Sequence, residues 1–278
     1  MPAKKLIFFK FTLALVLVIL ALSFYSLSFD LTAGICLLAL FGLSAAIFLV
    51  SYEDYKLSER ILSRTDVAKS FAHSANNSIW FHEALRPRLP LPPLAGWALD
   101  PETAGYLYKS IIREKPAVIL ELGSGVSTLI MAYALDSNGT GHIYSFDAEK
   151  KFSERSTSVL EAHDLVEYAS VTHAPLVDYT NSNYGSKWYE SSAFSSVPDG
   201  SVDIILVDGP PEKTSHLARY PALPRLCKKL KKNALIILDD AERKGEKAII
   251  QKWLEEGYIE DNPKFYSIGT GVCIARAR

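Results

Sequence analysis

Val118-Ile119-Leu120-Glu121-Leu122-Gly123-Ser124-Gly125-Val126-Ser127-Thr128 is the stretch on which the fold turns. A short apolar run ends in two glycines, and an apolar helical pattern follows at once over 127–135. Glycine lets the backbone turn tightly and lets a ligand approach it closely, so the stretch reads as strand, ligand-facing turn and helix. A second run, Ile143-Tyr144-Ser145-Phe146-Asp147, is a strand that ends in an acid. That acid comes roughly 20 residues after the glycines, the spacing at which a carboxylate meets ribose hydroxyls.

Outward from there the alternation continues. Strands are predicted over 118–122, 142–146, 168–173, 202–207 and 234–238, and helices over 127–135, 150–162, 217–230 and 245–256. Such alternation predicts a Rossmann-like, doubly wound α/β sheet, mostly parallel, with helices on both faces. The end differs: strands over 264–268 and 271–275 joined by Gly269-Thr270 make the last strand antiparallel. Before the first strand, Asp100 caps a helix that has Pro101 at its first position and runs to about Arg113.

Acids gather at the predicted carboxyl ends of the strands, where open α/β sheets place their ligands. Asp208 closes the fourth strand, and Asp239 with Asp240 closes the fifth. Together they could hold a hard divalent cation such as Mg through oxygen; helix capping by Asp240 and a solvated loop at Asp208 is the plainer reading. Glu212, Lys213, His216, Arg219 and Tyr220 follow the fourth strand. Lys213 or His216 could serve as general base for a hydroxyl, surface solubility being the plainer role of each. Arg243 and Glu246 follow the acidic pair and are placed to orient it. Residues 183–189 form an aromatic, polar insert that is long for a loop and reads as a lid or substrate wall.

The first fifty residues are of another kind. Residues 6–27 carry Lys10 as their one charge and residues 31–50 carry none. Each run is near the roughly 20 residues that cross a bilayer, and the connection at 26–30 is too short for a domain. We read a two-helix transmembrane hairpin over 1–50. A cleaved signal peptide shares the positive start, but the first run is long and a second spanning run follows directly. Lys4, Lys5 and Lys10 precede the spans, Lys56, Arg60 and Arg64 follow them, and the connection has neither lysine nor arginine. That asymmetry puts both ends in the cytoplasm. Residues 51–99 read as a linker, its first part either a stalk or a segment packed on the catalytic domain, with a proline-rich connector at 86–93, and 100–278 as the catalytic domain.

With 30 Lys and Arg against 31 Asp and Glu, and no basic stripe, no nucleic-acid partner is expected. Cys36, Cys227 and Cys273 form no C-x-x-C pair, which removes zinc and thioredoxin-type sites from consideration. Thr128 stands where a dinucleotide fingerprint has its third glycine, which disfavours a nicotinamide oxidoreductase.

Glu121 to Thr128 (E-L-G-S-G-x-S-T), Asp208 to Pro211 (D-G-P-P), Arg219 to Leu223 (R-Y-P-A-L) and Asp239 to Arg243 (D-D-A-x-R) together resemble a bacterial group of class I S-adenosylmethionine-dependent methyltransferases. The resemblance covers roughly 100–278, and the terminal antiparallel pair is similar to that fold's reversed seventh strand. It implies S-adenosylmethionine as cofactor. Glu121, Gly123 and Gly125 would line its methionine end, Asp147 would hold the ribose hydroxyls, and Ser124, Ala148, His173 and Asp208 would complete the cofactor-binding set. Many relatives carry an acid after the third strand for the adenine; here the chain reads His173-Ala174-Pro175-Leu176. The acid cluster resembles the metal site of catechol O-methyltransferase-like enzymes, with an Asp-Asp pair in place of an acid and an amide. The function implied is O-methylation of a small-molecule, sugar or lipid-linked acceptor at the bacterial inner membrane, with Asp208, Lys213 and His216 as candidate catalytic groups. A non-catalytic membrane-tethered scaffold is the alternative, for which the glycines and strand-end acids would have no use.

Overall fold

The structure, a computed structural model, describes residues 18, 31–92, 101–179 and 187–278. The chain divides into two compact units, Met1–His73 and Ser74–Arg278. What is described of the first unit is chiefly the earlier part of helix α1 (Leu31–Leu85). Among the described residues no helix is long and apolar enough to cross a membrane. The first expected span, 6–27, lies outside them except for Val18, as do the side chains of 31–38 and Phe41 in the second.

The second unit starts earlier than the sequence implies. Its first residues form the end of α1, where Phe81 and Leu85 are buried against Leu107 and Ile111. Part of the expected stalk therefore belongs to the folded core. Helix α2 (Pro101–Glu114) begins at a proline, whose missing N–H is harmless there, and Asp100 lies outside the described residues. Its buried residues Ala104, Leu107, Tyr108 and Ile111 recur at helical spacing and form one face.

Strands β1 (Val118–Leu122), β2 (His142–Asp147) and β3 (Ala169–His173) alternate with α3 (Val126–Asn138) and α4 (Lys150–Ala162). Then come β4 (Leu176–Asp178), β5 (Lys187–Tyr189), β6 (Val202–Val207), α5 (Ala222–Leu226), β7 (Leu230–Asp239), α6 (Lys244–Glu255), β8 (Lys264–Tyr266) and β9 (Val272–Arg276). The main sheet has seven strands in the order β3-β2-β1-β6-β7-β9-β8. β3, β2, β1, β6 and β7 are parallel, and β9 runs antiparallel between β7 and β8. The mostly parallel sheet and reversed terminal strand are as the sequence predicts.

The side-chain period of two splits the core into two layers. Leu120, Leu122, Ile205, Val207 and Ile236 pack on one face, and Ile119, Ile143, Ile204, Leu206 and Ile237 on the other. Glu121 shares the face of Ile119, which is the face covered by α3.

Four local expectations change. The helix expected over 217–230 is only α5, followed by a 3-10 turn at Cys227–Lys229. Pro221 at the start of α5 and Pro224 in its first turn lack the N–H that an incoming helix would need, so a helix can begin there but cannot run through from residue 217. β7 starts at Leu230 rather than 234, because Val202 pairs with Leu230 across an irregular register. The last two strands are joined by residues 267–271 rather than by two residues. Gly271 leaves the ladder at φ 87, where an added Cβ would stand 2.4 Å from Glu242 Cγ. The insert at 183–189, read as a loop, ends in β5, which pairs antiparallel with β4; residues 183–186 lie outside the described ones.

Candidate functional site

The glycine turn and Asp147 form one hydrogen-bonded knot. Gly123 has φ +93, and a Cβ there would stand 3.0 Å from the carbonyl oxygen of Asp208, so two strand ends meet across a glycine. Its N–H donates to the Phe146 carbonyl, and the Asp208 N–H donates to the Leu122 carbonyl. The backbone N–H and hydroxyl of Ser124 both donate to Asp147 Oδ2, each at 2.9 Å. The N–H of Glu149 donates to Oδ1 at 2.9 Å. Asp147 is thus held at the mouth of the turn, while a Cβ added at Gly125 would meet nothing within 4 Å. That open space beside an oriented carboxylate suits a ribose and its neighbouring chain.

Ala148 and His173 lie beside the knot. His173 pairs in register with Asp147, and its Nε2 is 3.3 Å from the Ala148 carbonyl.

Glu121 lies beneath the turn, with no exposed surface. Ser127 Oγ donates to its Oε1 at 2.6 Å, while Thr128 Oγ1 and Ser145 Oγ donate to Oε2 at 2.5 and 2.6 Å. Thr128 Oγ1 also accepts from the Gly125 N–H at 3.0 Å. The residue in the third-glycine place therefore ties turn, helix and acid together. Glu121 anchors the start of α3 rather than presenting a free carboxylate. Burial pushes its carboxyl up to about 7 against the pull of the three hydroxyls. A folded value above the unfolded one means that the stabilisation is fully present below about 4.5 and is lost as pH rises through about 7. Glu121→Gln, which cannot ionise, is expected to gain on the wild type by up to about 3 kcal/mol between about pH 4.5 and pH 8. Denaturant titrations at both pH values check this, and a pH-independent gap between the two proteins would contradict it.

The second cluster is centred on Arg219, which is 3% exposed. Its Nη1 donates to the Asp239 carbonyl at 2.8 Å. Its Nη2 reaches Asp208 Oδ1 at 3.0 Å and Asp240 Oδ2 at 2.8 Å. Arg243 Nη1 meets the same Asp240 oxygen at 2.8 Å, so Arg243 orients the pair as the sequence implies. Glu246, buried, lies 4.0 Å from Arg219 Nε. The three acids converge as expected, their candidate ligand atoms all lying within 4.8 Å of one another. The cation among them is the Arg219 guanidinium. Burial holds the Asp208 carboxyl well above the usual carboxylate range, with Arg219 opposing and Asp239 and Asp240 adding to the rise.

Lys213 and His216 sit apart from that knot, lining a cavity of about 380 Å³ with Glu212, Gly245 and Glu246. Glu246 is the link between the cavity and Arg219.

Tyr189, the last residue of the aromatic insert, takes a place the sequence does not show. Its side chain is buried, and a Cβ added at Gly209 would stand 2.3 Å from its hydroxyl and 3.2 Å from the Gly123 nitrogen. The charges of Asp147, Arg219, Asp208 and Glu121 all act on it, and burial holds the phenol well above its ordinary value. A neutral O–H therefore overhangs the joint between the two glycine turns. The signal in the sequence was the glycine of D-G-P-P itself, since only a residue without a Cβ fits beneath that hydroxyl.

Residues 120–241 match the family model of a methyltransferase domain. The chain shares the fold of class I methyltransferases. Among solved structures it is similar to the SAH-bound methyltransferase PaMTH1 of Podospora anserina, with 14% identity over 76% of this chain and 95% of that one, at a TM-score of 0.55. It is also similar to cofactor-bound Rv0187 from MTB, with 14% identity over 74% of this chain and 89% of that one, at a TM-score of 0.50. Among curated proteins nothing matches. The matched residues thus span the glycine turn, Asp147, Arg219 and the strand-end acids.

Proposed function

We propose that this methyltransferase uses S-adenosylmethionine to methylate a hydroxyl of a small-molecule, sugar or lipid-linked acceptor, from a membrane anchor. The observation that carries the reading is Asp147, fixed by Ser124 at the mouth of the glycine turn, on the same sheet edge as Asp208. PaMTH1, whose structure was solved with SAH, shares the fold. When bound, S-adenosylmethionine supplies an electrophilic methyl group on a sulfonium. This chain's residues do the rest. Asp147 would hold ribose hydroxyls, with Gly123 and Gly125 giving room for the methionine end and Ala148 and His173 flanking the adenine side. Asp208, more basic than an ordinary carboxylate, would take the proton that leaves the acceptor hydroxyl. Lys213 and His216, on the adjoining cavity wall, are the alternative bases.

A divalent cation on Asp208, Asp239 and Asp240 is a second reading, favoured by the convergence of their oxygens. Arg219 already bonds two of the three, so the cation would have to use the remaining oxygens. There it would lower the acceptor's pKa and fix its position.

Calorimetry of the full chain with S-adenosylmethionine and with NAD tests the cofactor. Binding of the first and not the second is expected. Asp147→Ala should weaken binding by about 1.5–3 kcal/mol through lost charge-assisted bonds. Unchanged affinity would remove Asp147 from the site.

Membrane anchoring rests on the two apolar runs, 6–27 and 31–50. Positions 42–50 of α1, apolar apart from Ser44, are at least partly exposed on every side, with Leu40, Leu43, Ile47, Leu49 and Val50 more than half exposed. A helix apolar all round needs a non-aqueous surrounding. Both ends are expected in the cytoplasm by the lysine and arginine asymmetry. Cysteine labelling of either terminus from outside intact cells should fail, and an external C-terminus would overturn the hairpin.

A further inference from the structure

A second cavity, of about 340 Å³, lies between the 3-10 segment Ser191–Ser196 and the chain from α5 to Lys229. Lys229 adjoins the start of β7, and Asp239 closes the other end of that strand, so this cavity stands away from the strand-end acids. Nothing in the methyl-transfer reading uses it.

Its lining is one-sided in charge. Arg225, Lys228 and Lys229 contribute cations, and no Asp or Glu among the described residues lines it. Lys229 is spoken for, donating to the Val197 carbonyl and pairing with Asp199, both at 2.7 Å. Arg225 spends one N–H on Ser191 Oγ at 2.6 Å, which leaves the Ser191 proton and the other guanidinium protons available. Ser195 adds a second hydroxyl, and Lys228 is exposed at the rim. The wall carries a further donor. Trp188 is 1% exposed, and its indole Nε1 is buried without a hydrogen-bond partner. A buried N–H left unpaired costs about 1–3 kcal/mol, so such groups ordinarily have a partner, in the protein or in what binds it. Phe194 and Leu226 give the cavity an apolar side.

We propose that this cavity binds a phosphate monoester, its oxygens taken by Arg225, Lys228 and the serine hydroxyls and its carbon stem laid against Phe194 and Leu226. Donors without acceptors select an anion, and a forked guanidinium beside an ammonium suits several phosphate oxygens at once. Trp188 lines the same cavity, so its indole N–H reports on what binds there. The ester is either a soluble phosphorylated metabolite or a lipid headgroup, since both present the same group.

The test follows the indole resonance of Trp188 in the full, detergent-solubilised chain by ¹H–¹⁵N NMR, assigned with Trp188→Phe. Glycerol phosphate and dihexanoyl phosphatidic acid are titrated separately. The expected result is a saturable shift with at least one probe, and Arg225→Gln and Lys228→Gln each weakening that binding about tenfold. A shift with glycerol phosphate indicates a soluble ester, and a shift with the lipid probe alone indicates a headgroup. No shift with either probe at millimolar concentration overturns the proposal. So does a shift whose affinity neither variant changes. The Lys228 side chain makes no hydrogen bond among the described residues, so its variant keeps the test valid should Arg225→Gln fail to fold.

Discussion

Arg219→Leu is expected to destabilise the second unit by about 3–5 kcal/mol, a large share of the about 5–15 kcal/mol that holds an ordinary domain folded. The guanidinium is buried and makes four hydrogen bonds, two to the backbone at Asp208 and Asp239 and two to the carboxylates of Asp208 and Asp240. Leucine would fill much of the volume, but it would leave the acids that follow β6 and close β7 facing one another, with Arg243 paired to Asp240 alone among the described contacts. Uncompensated carboxylates have raised pKa values, and a raised folded value stabilises at low pH and is lost as pH rises. The loss should therefore be smaller near pH 5 than near pH 8, which separates a charge effect from a packing defect. Arg219→Lys should recover only part of it, because a single ammonium cannot bridge two strand ends as a fork does. Thermal and denaturant unfolding at the two pH values measure all three. An Arg219→Leu protein as stable as the wild type would show that the acid cluster does not depend on this cation.

Asp208→Asn is expected to lower turnover about 10²- to 10⁴-fold while leaving S-adenosylmethionine affinity within a small factor. The amide keeps the size of the side chain and can still meet Arg219 through its oxygen, so the fold should survive. What it loses is a carboxylate that burial has made more basic. Wild-type turnover should also rise with pH as Asp208 loses its proton, a limb absent from the variant. Exhaustive chelation tells the two catalytic readings apart: activity that survives leaves the base, and activity abolished and restored by Mg indicates the cation. If Asp208→Asn and Asp239→Asn both leave turnover intact, the active site is not at these strand ends.

Much of the fold is legible in the chain because strand order and glycine turns are local signals. The run from Val118 to Thr128 shows its strand, turn and helix through side-chain period and the two glycines. The last strand shows its reversal by lying too close to its predecessor for a crossover. Asp147, Asp208, Asp239 and Asp240 are legible for the same reason: each closes an apolar strand, and parallel strands bring their carboxyl ends to one edge.

What packs against what is not legible in this way. Glu121 resembles a ligand group by motif, yet strand alternation sends it under α3, where three hydroxyls from two elements converge on it. Arg219 reads as one charge in a polar stretch, because its partners stand 11, 20 and 21 residues away and meet it only after β6 and β7 pair. Tyr189 becomes part of the site only because β5 carries it over Gly209. The sequence by itself determined the parallel sheet, the reversed last strand, the cofactor-type turn and the edge on which acids gather, since all follow from patterns within one element. Only the tertiary structure decided which acid is buried as an anchor, which cation balances the others and which phenol overlooks the turn. Those depend on contacts between elements, and burial changes a charged group's free energy by more than any local preference can.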